Sequence, residues 1–276
     1  MVKISRDQKL FTKCKYIIDL YLSPLCNFKC DYCYVRSNYA STQNLPLKTA
    51  LYFIDCISKA QNVNLSFLGG EPTLYKDLNT VIDYAYNKVD ELELYTNGST
   101  DLTKLHLNKL KTVISIHPRY YKRFRQKFLS NIEYLDKNNL NYQIRVIMEN
   151  SDLSEIYNDL KDYQYLKEYI YSPTENYFIL PDNFSEDKDF CIGDKHIGIS
   201  EYVKKYFRPK KPYLCMMNSF AVLSNGDVEK YCSTDDLLVG NLFKNSELFK
   251  DLKIRLSKCK QYNTKGCSEM EIIRYL

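Results

Sequence analysis

Along the first two thirds of the chain, short apolar runs alternate with stretches of helical spacing. "YIIDLYL" from Tyr16, "VNLSFL" from Val63, "ELELYT" from Glu91, "TVISIH" from Thr112 and "YQIRVIM" from Tyr142 are rich in β-branched and aromatic residues and are predicted as strands. "NYFIL" from Asn176 is a weaker sixth. The intervening patterns predict helices over 47–61, 77–88, 102–110, 119–138 and 152–168. In the second of these, Leu78, Val81, Ile82 and Ala85 form one stripe, and Asp77 is placed to cap or charge the first turn. Strands alternating with helices imply parallel pairing through right-handed crossovers. Six such units are too few for a closed eight-stranded barrel, so the expected fold class is α/β, a partial (β/α)6 barrel. After about residue 185 the pattern changes. "FAVLSNGDVEKYC" reads as a hairpin turning at Asn225-Gly226 in type I′ geometry, and "NSELFKDLKIRLSK" as a helix. Residues 1–190 are therefore expected to form the core, and 191–276 a small α+β appendage of hairpin plus helix.

Composition adds limits. The 276 residues are 45% hydrophobic and 26% charged, as in an ordinary globular protein. No apolar run reaches the ~18 residues of a membrane span, and no small-residue cleavage site follows the N-terminal apolar run, so the expected compartment is the cytoplasm. The net charge of +5 is spread along the chain. Its densest basic stretch, "HPRYYKRFRQK" from His117 to Lys127, reads as a solvated helix face before it reads as a nucleic-acid surface.

The ten cysteines change the picture more. In a reducing compartment, clustered cysteines favour metal ligation over disulfides. Cys26, Cys30 and Cys33 follow the first strand with Cx3Cx2C spacing; Cys215, Cys232, Cys259 and Cys267 form a second group; Cys14, Cys56 and Cys191 stand apart. Three thiolates can wrap one face of a cubane iron–sulfur cluster, leaving one iron open for chemistry. Motifs fall at the carboxyl ends of successive strands, where sites in such sheets gather: the cysteine loop after the first, "GGEP" (Gly69–Pro72) after the second, "TNG" after the third.

Cys26, Cys30 and Cys33, with Tyr32 before the last, resemble the signature loop of the radical S-adenosylmethionine (SAM) superfamily. The resemblance implies a [4Fe-4S] cluster whose open iron is chelated by SAM. Reductive cleavage of SAM would then yield a 5′-deoxyadenosyl radical that abstracts hydrogen from a substrate. Gly69, Gly70, Glu71 and Pro72 resemble the motif that receives the SAM amino group; the glycines would let backbone approach the ligand, and the Glu71 carboxylate can pair with an ammonium. "YTNG", Tyr95 to Gly98, resembles the segment beside the SAM ribose, where Asn97 would bond a hydroxyl. His117 lies where the family lines its substrate cavity, with a structural role as the other reading.

The second group, with Gly226 and "GN" at Gly240-Asn241 between its cysteines, resembles the twitch or shortened SPASM appendage that carries an auxiliary four-iron cluster. It departs from the usual pattern in the hairpin spacing and in its Cx7C terminal pair, and a zinc ribbon is the alternative. Cys191 is open to three readings: a replacement ligand, a hydrogen-atom donor to a substrate radical, or a buried small hydrophobe.

Family members with this layout modify ribosomally made peptides by epimerisation, crosslinking or oxidation; others dehydrogenate cyclitols or sugars. The peptide reading is favoured, although a first strand near residue 16 leaves no room for a leader-binding domain and speaks for a small molecule. A reductant of flavodoxin or ferredoxin type is implied. A competing class is a non-catalytic zinc or iron–sulfur sensing module.

Overall fold

The computed structural model describes residues 16–31, 33, 43–60, 62–148, 154–160, 166–171, 191–192, 195–196, 214–215, 218–230, 238–244, 257–258 and 272–273. Six strand units run in chain order: β1 (Tyr16–Ser23), α1 (Leu47–Ile57), β2 (Val63–Gly69), α2 (Leu78–Ala85), β3 (Glu91–Thr96), β4 (Lys111–Ile116), α3 (Pro118–Lys137), β5 (Tyr142–Met148), α4 (Ser154–Leu160) and β6 (Leu166–Tyr171). β1 to β6 pair parallel with their sequence neighbours, which gives the expected α/β partial barrel. Beyond them come two-residue strands β7 (Cys191–Ile192), β8 (Lys195–His196) and β9 (Leu214–Cys215), then β10 (Asn218–Val222), β11 (Asp227–Lys230), β12 (Leu238–Asn241), β13 (Ser257–Lys258) and β14 (Ile272–Ile273).

The hairpin is not set apart from the core sheet. β10 lies parallel to β1 on the side away from β2, with Ile18 opposite Phe220, and β11 and β12 continue the sheet antiparallel. The sheet thus has nine strands, seven of them parallel. A separate small sheet joins β9 to β13 and β14, placing Cys215 opposite both Ser257 and Ile272.

Several local expectations change. The sixth strand is "LKEYIY" at 166–171, where a helix was expected to end, because pairing with β5 claims it; "NYFIL" lies outside the described residues. The predicted helix over 102–110 is two 3-10 turns, Leu102–Lys104 and Leu107–Lys109, the first capped by the Asp101 carboxylate accepting from Thr103 N at 3.1 Å. The hairpin tip is a three-residue loop. Gly226 N donates to Leu223 O and Leu223 N to Asp227 O, both at 2.8 Å. Gly226 alone takes a positive φ, +83°, so this is a turn closed by a glycine bulge, not type I′. Ser257 and Lys258, assigned to the end of a helix by pattern, are a strand; the rest of that segment lies outside the described residues. Asp77 stands at the N-cap of α2 without a side-chain cap bond.

One face of the sheet carries Ile18, Leu20, Leu22, Leu65, Phe67, Leu94, Ile114 and Ile144 against Phe53, Ile54, Val81, Ile82, Phe128 and Ile132 of the helices. Each such side chain contributes roughly 1.5–3 kcal/mol on burial. Cys56 belongs to this core, as part of α1. Strand alternation sends the intervening residues to the other face, and there Asp19, Ser66, Glu93, Tyr95, Lys111, Gln143 and Arg145 collect. Tyr95 donates to Glu93 at 3.0 Å, and Arg145 lies 5.1 Å over the Tyr95 ring.

Helix α4 is tied to α3 through Asp159. Arg125 donates to it from Nε and Nη2, each at 2.7 Å, and Tyr121 from its hydroxyl at 2.7 Å. The Arg125 guanidinium holds the Asp159 carboxyl below the usual carboxylate range. A depressed folded value gives stabilisation that is complete above the ordinary pKa of about 4 and is lost as pH falls through the depressed value. Asp159→Asn is expected to lower the thermal midpoint at pH 7, with the gap from wild type closing as melts are repeated into the acid range.

Candidate active site

The cysteine loop leaves β1 and is fastened at its root by the doubled glycine. Gly70 N donates to Ser23 O at 2.7 Å and Glu71 N to Leu25 O at 2.6 Å. A Cβ on Gly69 would lie 2.3 Å from Ser23 O, and one on Gly70 2.2 Å from Leu25 O. The close approach these glycines permit is to the chain itself: they press β2 against the segment that carries Cys26. Pro72 follows as a buried residue opening a short 3-10 turn.

Glu71 is 1% exposed. Its Oε1 accepts from Thr73 N at 3.1 Å, Thr73 Oγ1 at 2.6 Å and Thr96 Oγ1 at 2.7 Å, and its Oε2 from Asn97 N at 2.7 Å. Burial pushes its carboxyl up, opposed by these donors. Through these bonds the carboxylate binds the end of β3 to the end of β2.

Asn97 is equally committed. Its Oδ1 accepts from Ser99 N at 3.0 Å, and its Nδ2 donates to Asn27 Oδ1 at 2.9 Å and approaches Cys26 Sγ at 3.9 Å. Asn27 in turn donates to Ser99 Oγ at 2.7 Å. The "TNG" segment thus holds the cysteine loop by side-chain hydrogen bonds. Asn27 and Ser99 were missed in the sequence, having no motif to mark them.

The far side of the loop is gripped by the start of α3. Phe28 stacks on Tyr120 with centroids 4.0 Å apart, and Lys29 N donates to Tyr120 OH at 2.7 Å. Arg119 pairs with Asp31 at 2.7 Å. His117, at the N-cap of α3, places Nδ1 3.6 Å from Cys30 Sγ and meets Phe28 edge-on. The basic aromatic stretch is a clamp for this loop.

Cys26, Cys30 and Cys33 form no disulfide and are respectively exposed, buried and half-buried. Cys26 Sγ accepts from Phe28 N at 3.3 Å. Although the residue as a whole is exposed, protein crowding around its sulfur pushes the Cys26 thiol up, with Glu71 and Cys33 adding to the effect. Among the described residues, no three His, Cys, Asp or Glu side chains converge on a point that would hold a single ion. Tyr32, Cys232, Cys259 and Cys267 lie outside the described residues. Cys191 pairs with His196 across β7 and β8, and Cys215 lies in β9. The polar row on the sheet face opposite the helices has a sequence signal of its own: acids and bases at alternate positions of strands that are otherwise apolar.

Among known proteins, the chain is 32% identical over 85 residues to the S-adenosylmethionine-dependent nucleotide dehydratase of Selenomonas ruminantium, covering 30% of each. It is 27% identical over 222 residues to the radical SAM cyclopropyl synthase TigE of Paramaledivibacter caminithermalis, covering 67% of this chain and 46% of that one. The matches span less than half the length of the curated relatives. In fold, it resembles SuiB of Streptococcus suis, with TM-score 0.60 and 14% identity over 91% of this chain and 69% of that one. It likewise resembles anSMEcpe with bound AdoMet, at TM-score 0.56 and 16% identity over 86% and 78%. The family model for the radical SAM superfamily matches residues 20–162, more than half of the chain, and the chain belongs to that superfamily.

Proposed function

We propose that this chain is a radical SAM enzyme acting on a ribosomally made peptide. Membership of the family implies a [4Fe-4S] cluster and SAM, and the donor set at the cysteine loop fits them. Three cysteines outside any disulfide stand on one loop, and a cubane spreads its protein ligands over separate irons, so convergence on one ion is not required of them. Cys26, Cys30 and Cys33 would hold the cluster. Gly69, Gly70, Glu71, Pro72, Tyr32 and Asn97 would flank SAM, with Glu71 and Asn97 acting by fixing the loop ends. When bound, the pair supplies a carbon-centred radical that removes hydrogen from the substrate.

The observation that carries the reading is the rooting of the cysteine loop on the carboxyl ends of β1, β2 and β3. The peptide preference is supported by a fold shared with SuiB, which has been seen bound to its precursor peptide SuiA. Within this reading, residues 1–190 form the radical core. Residues 191–276 carry an auxiliary cluster on Cys215, Cys232, Cys259 and Cys267, and Cys191 is a candidate hydrogen-atom donor. A flavodoxin- or ferredoxin-type protein supplies the electron. Among the described residues, no helix is long and apolar enough to cross a membrane.

Anaerobic reconstitution tests the proposal. The expected result is about eight irons per chain from two cubanes, and 5′-deoxyadenosine on adding SAM and a reductant. Replacing Cys26, Cys30 and Cys33 together by Ala should abolish 5′-deoxyadenosine while the auxiliary iron remains. Undiminished product from that variant would overturn the assignment, and bound zinc with no cleavage of SAM would support the sensing module instead.

A further inference from the structure

We infer that His117 is a positioning residue of the cysteine site, its Nδ1–H donating to the Cys30 sulfur and so setting how readily the bound cluster accepts an electron. The inference rests on the radical SAM reading above and moves His117 from the substrate cavity to the cluster's surroundings.

The ring is well held. His117 is the residue before Pro118, which opens α3, so its backbone sits at a fixed helix start. Phe28 faces the imidazole at 88° with centroids 5.6 Å apart, and is itself stacked on Tyr120 at an interplanar angle of 14°. Tyr120 OH accepts from Lys29 N, and Arg119 holds Asp31, so the residues on both sides of Cys30 are tied to the same helical turn. Cys30 is 7% exposed, so little water competes for its sulfur. Nδ1 lies 3.6 Å from that sulfur, within reach of an N–H···S bond.

Chemistry then fixes the direction of donation. A metal-bound thiol has lost its proton and can only accept, so the nitrogen facing it must carry the hydrogen. Reduction adds negative charge to a cluster already bound by thiolates. A donor to one sulfur stabilises the reduced form more than the oxidised form, and hydrogen bonds to the sulfurs are among the groups that set cluster potentials. The Cys26 sulfur already has a backbone donor in Phe28 N. At Cys30 the donor is a side chain, which substitution can remove.

The test compares wild type, His117→Phe and His117→Asn, each reconstituted anaerobically as the full chain and poised with reductant over a range of potentials. The signal followed is the electron paramagnetic resonance that changes on adding SAM, which separates this cluster from any other. Phe is expected to move the midpoint to more negative potential, and Asn, whose amide N–H reaches nearly the same point, to restore it. Equal midpoints for wild type and Phe overturn the inference. Pulsed measurements on wild type labelled with 15N-histidine give a check that needs no variant: a nitrogen coupling to the reduced cluster is expected, and none overturns the inference even if Phe fails to load iron. A wild type with no SAM-responsive cluster would sink the enzyme reading itself, a separate and recognisable failure.

Discussion

Gly70→Ala is expected to empty the three-cysteine site of iron and abolish SAM cleavage while leaving a folded chain. The new Cβ would lie 2.2 Å from Leu25 O, 2.5 Å from Leu25 C and 2.6 Å from Pro24 O. All three are backbone atoms, so no rotamer change relieves the overlap. Relief requires lifting the 23–25 segment off β2, which breaks Gly70 N to Ser23 O and Glu71 N to Leu25 O. Cys26 is the next residue, and its sulfur moves with the segment. The apolar core behind the sheet does not depend on this contact, so the stability cost should stay near the ~1–3 kcal/mol of an overpacked site. Iron content, the SAM-responsive resonance and a thermal melt on one preparation separate the two effects. A variant that loads iron and makes 5′-deoxyadenosine at the wild-type rate would show that the contact does not set the loop.

Glu71→Ala should be the most destabilising single change near the site. It leaves four donors without their acceptor: Thr73 N and Oγ1, which are part-buried, and Thr96 Oγ1 and Asn97 N, which are buried. The two hydroxyls can turn to other partners, but the two backbone N–H groups cannot. At ~1–3 kcal/mol for each unsatisfied buried group, the loss should be about 3 kcal/mol or more. Glu71→Gln should fall between Ala and wild type, because one oxygen stays while the new NH2 faces a donor on the other side. The measurement is the denaturant midpoint of the metal-free protein, where no cofactor contributes. Equal midpoints for Ala and wild type would mean that the carboxylate does not bind the ends of β2 and β3 together.

Much of the scaffold was legible because its strands are amphipathic or apolar over their full length. "YQIRVIM" and "ELELYT" coincide with β5 and β3 residue for residue. The sixth strand was not legible. "LKEYIY" follows a helical segment with no Gly or Pro between them, and only its partner β5 decides its state. The hairpin is legible but its turn is not, since Asn225-Gly226 suits more than one loop length and the Leu223–Asp227 pairing selects three residues. At the site, motif spacing located the cysteines and "GGEP". What spacing does not show is that the same glycines and Glu71 also tie the chain to itself, through Ser23, Leu25, Thr73, Thr96 and Asn97. The clamp of Phe28, Tyr120 and His117 joins residues far apart in the chain and leaves no local pattern to read.

The position of β10 beside β1 bears on how the protein is made. While the chain is still emerging from the ribosome, the first strand has a partner on one side only, and its other edge waits for residues 218–222. An unpaired apolar edge of this kind invites pairing with other chains, and contacts spanning most of the sequence form slowly. Ile17, Ile18 and Leu20 are therefore where nascent chains should stick to one another, and truncation before β10 should give aggregates in place of a smaller folded core.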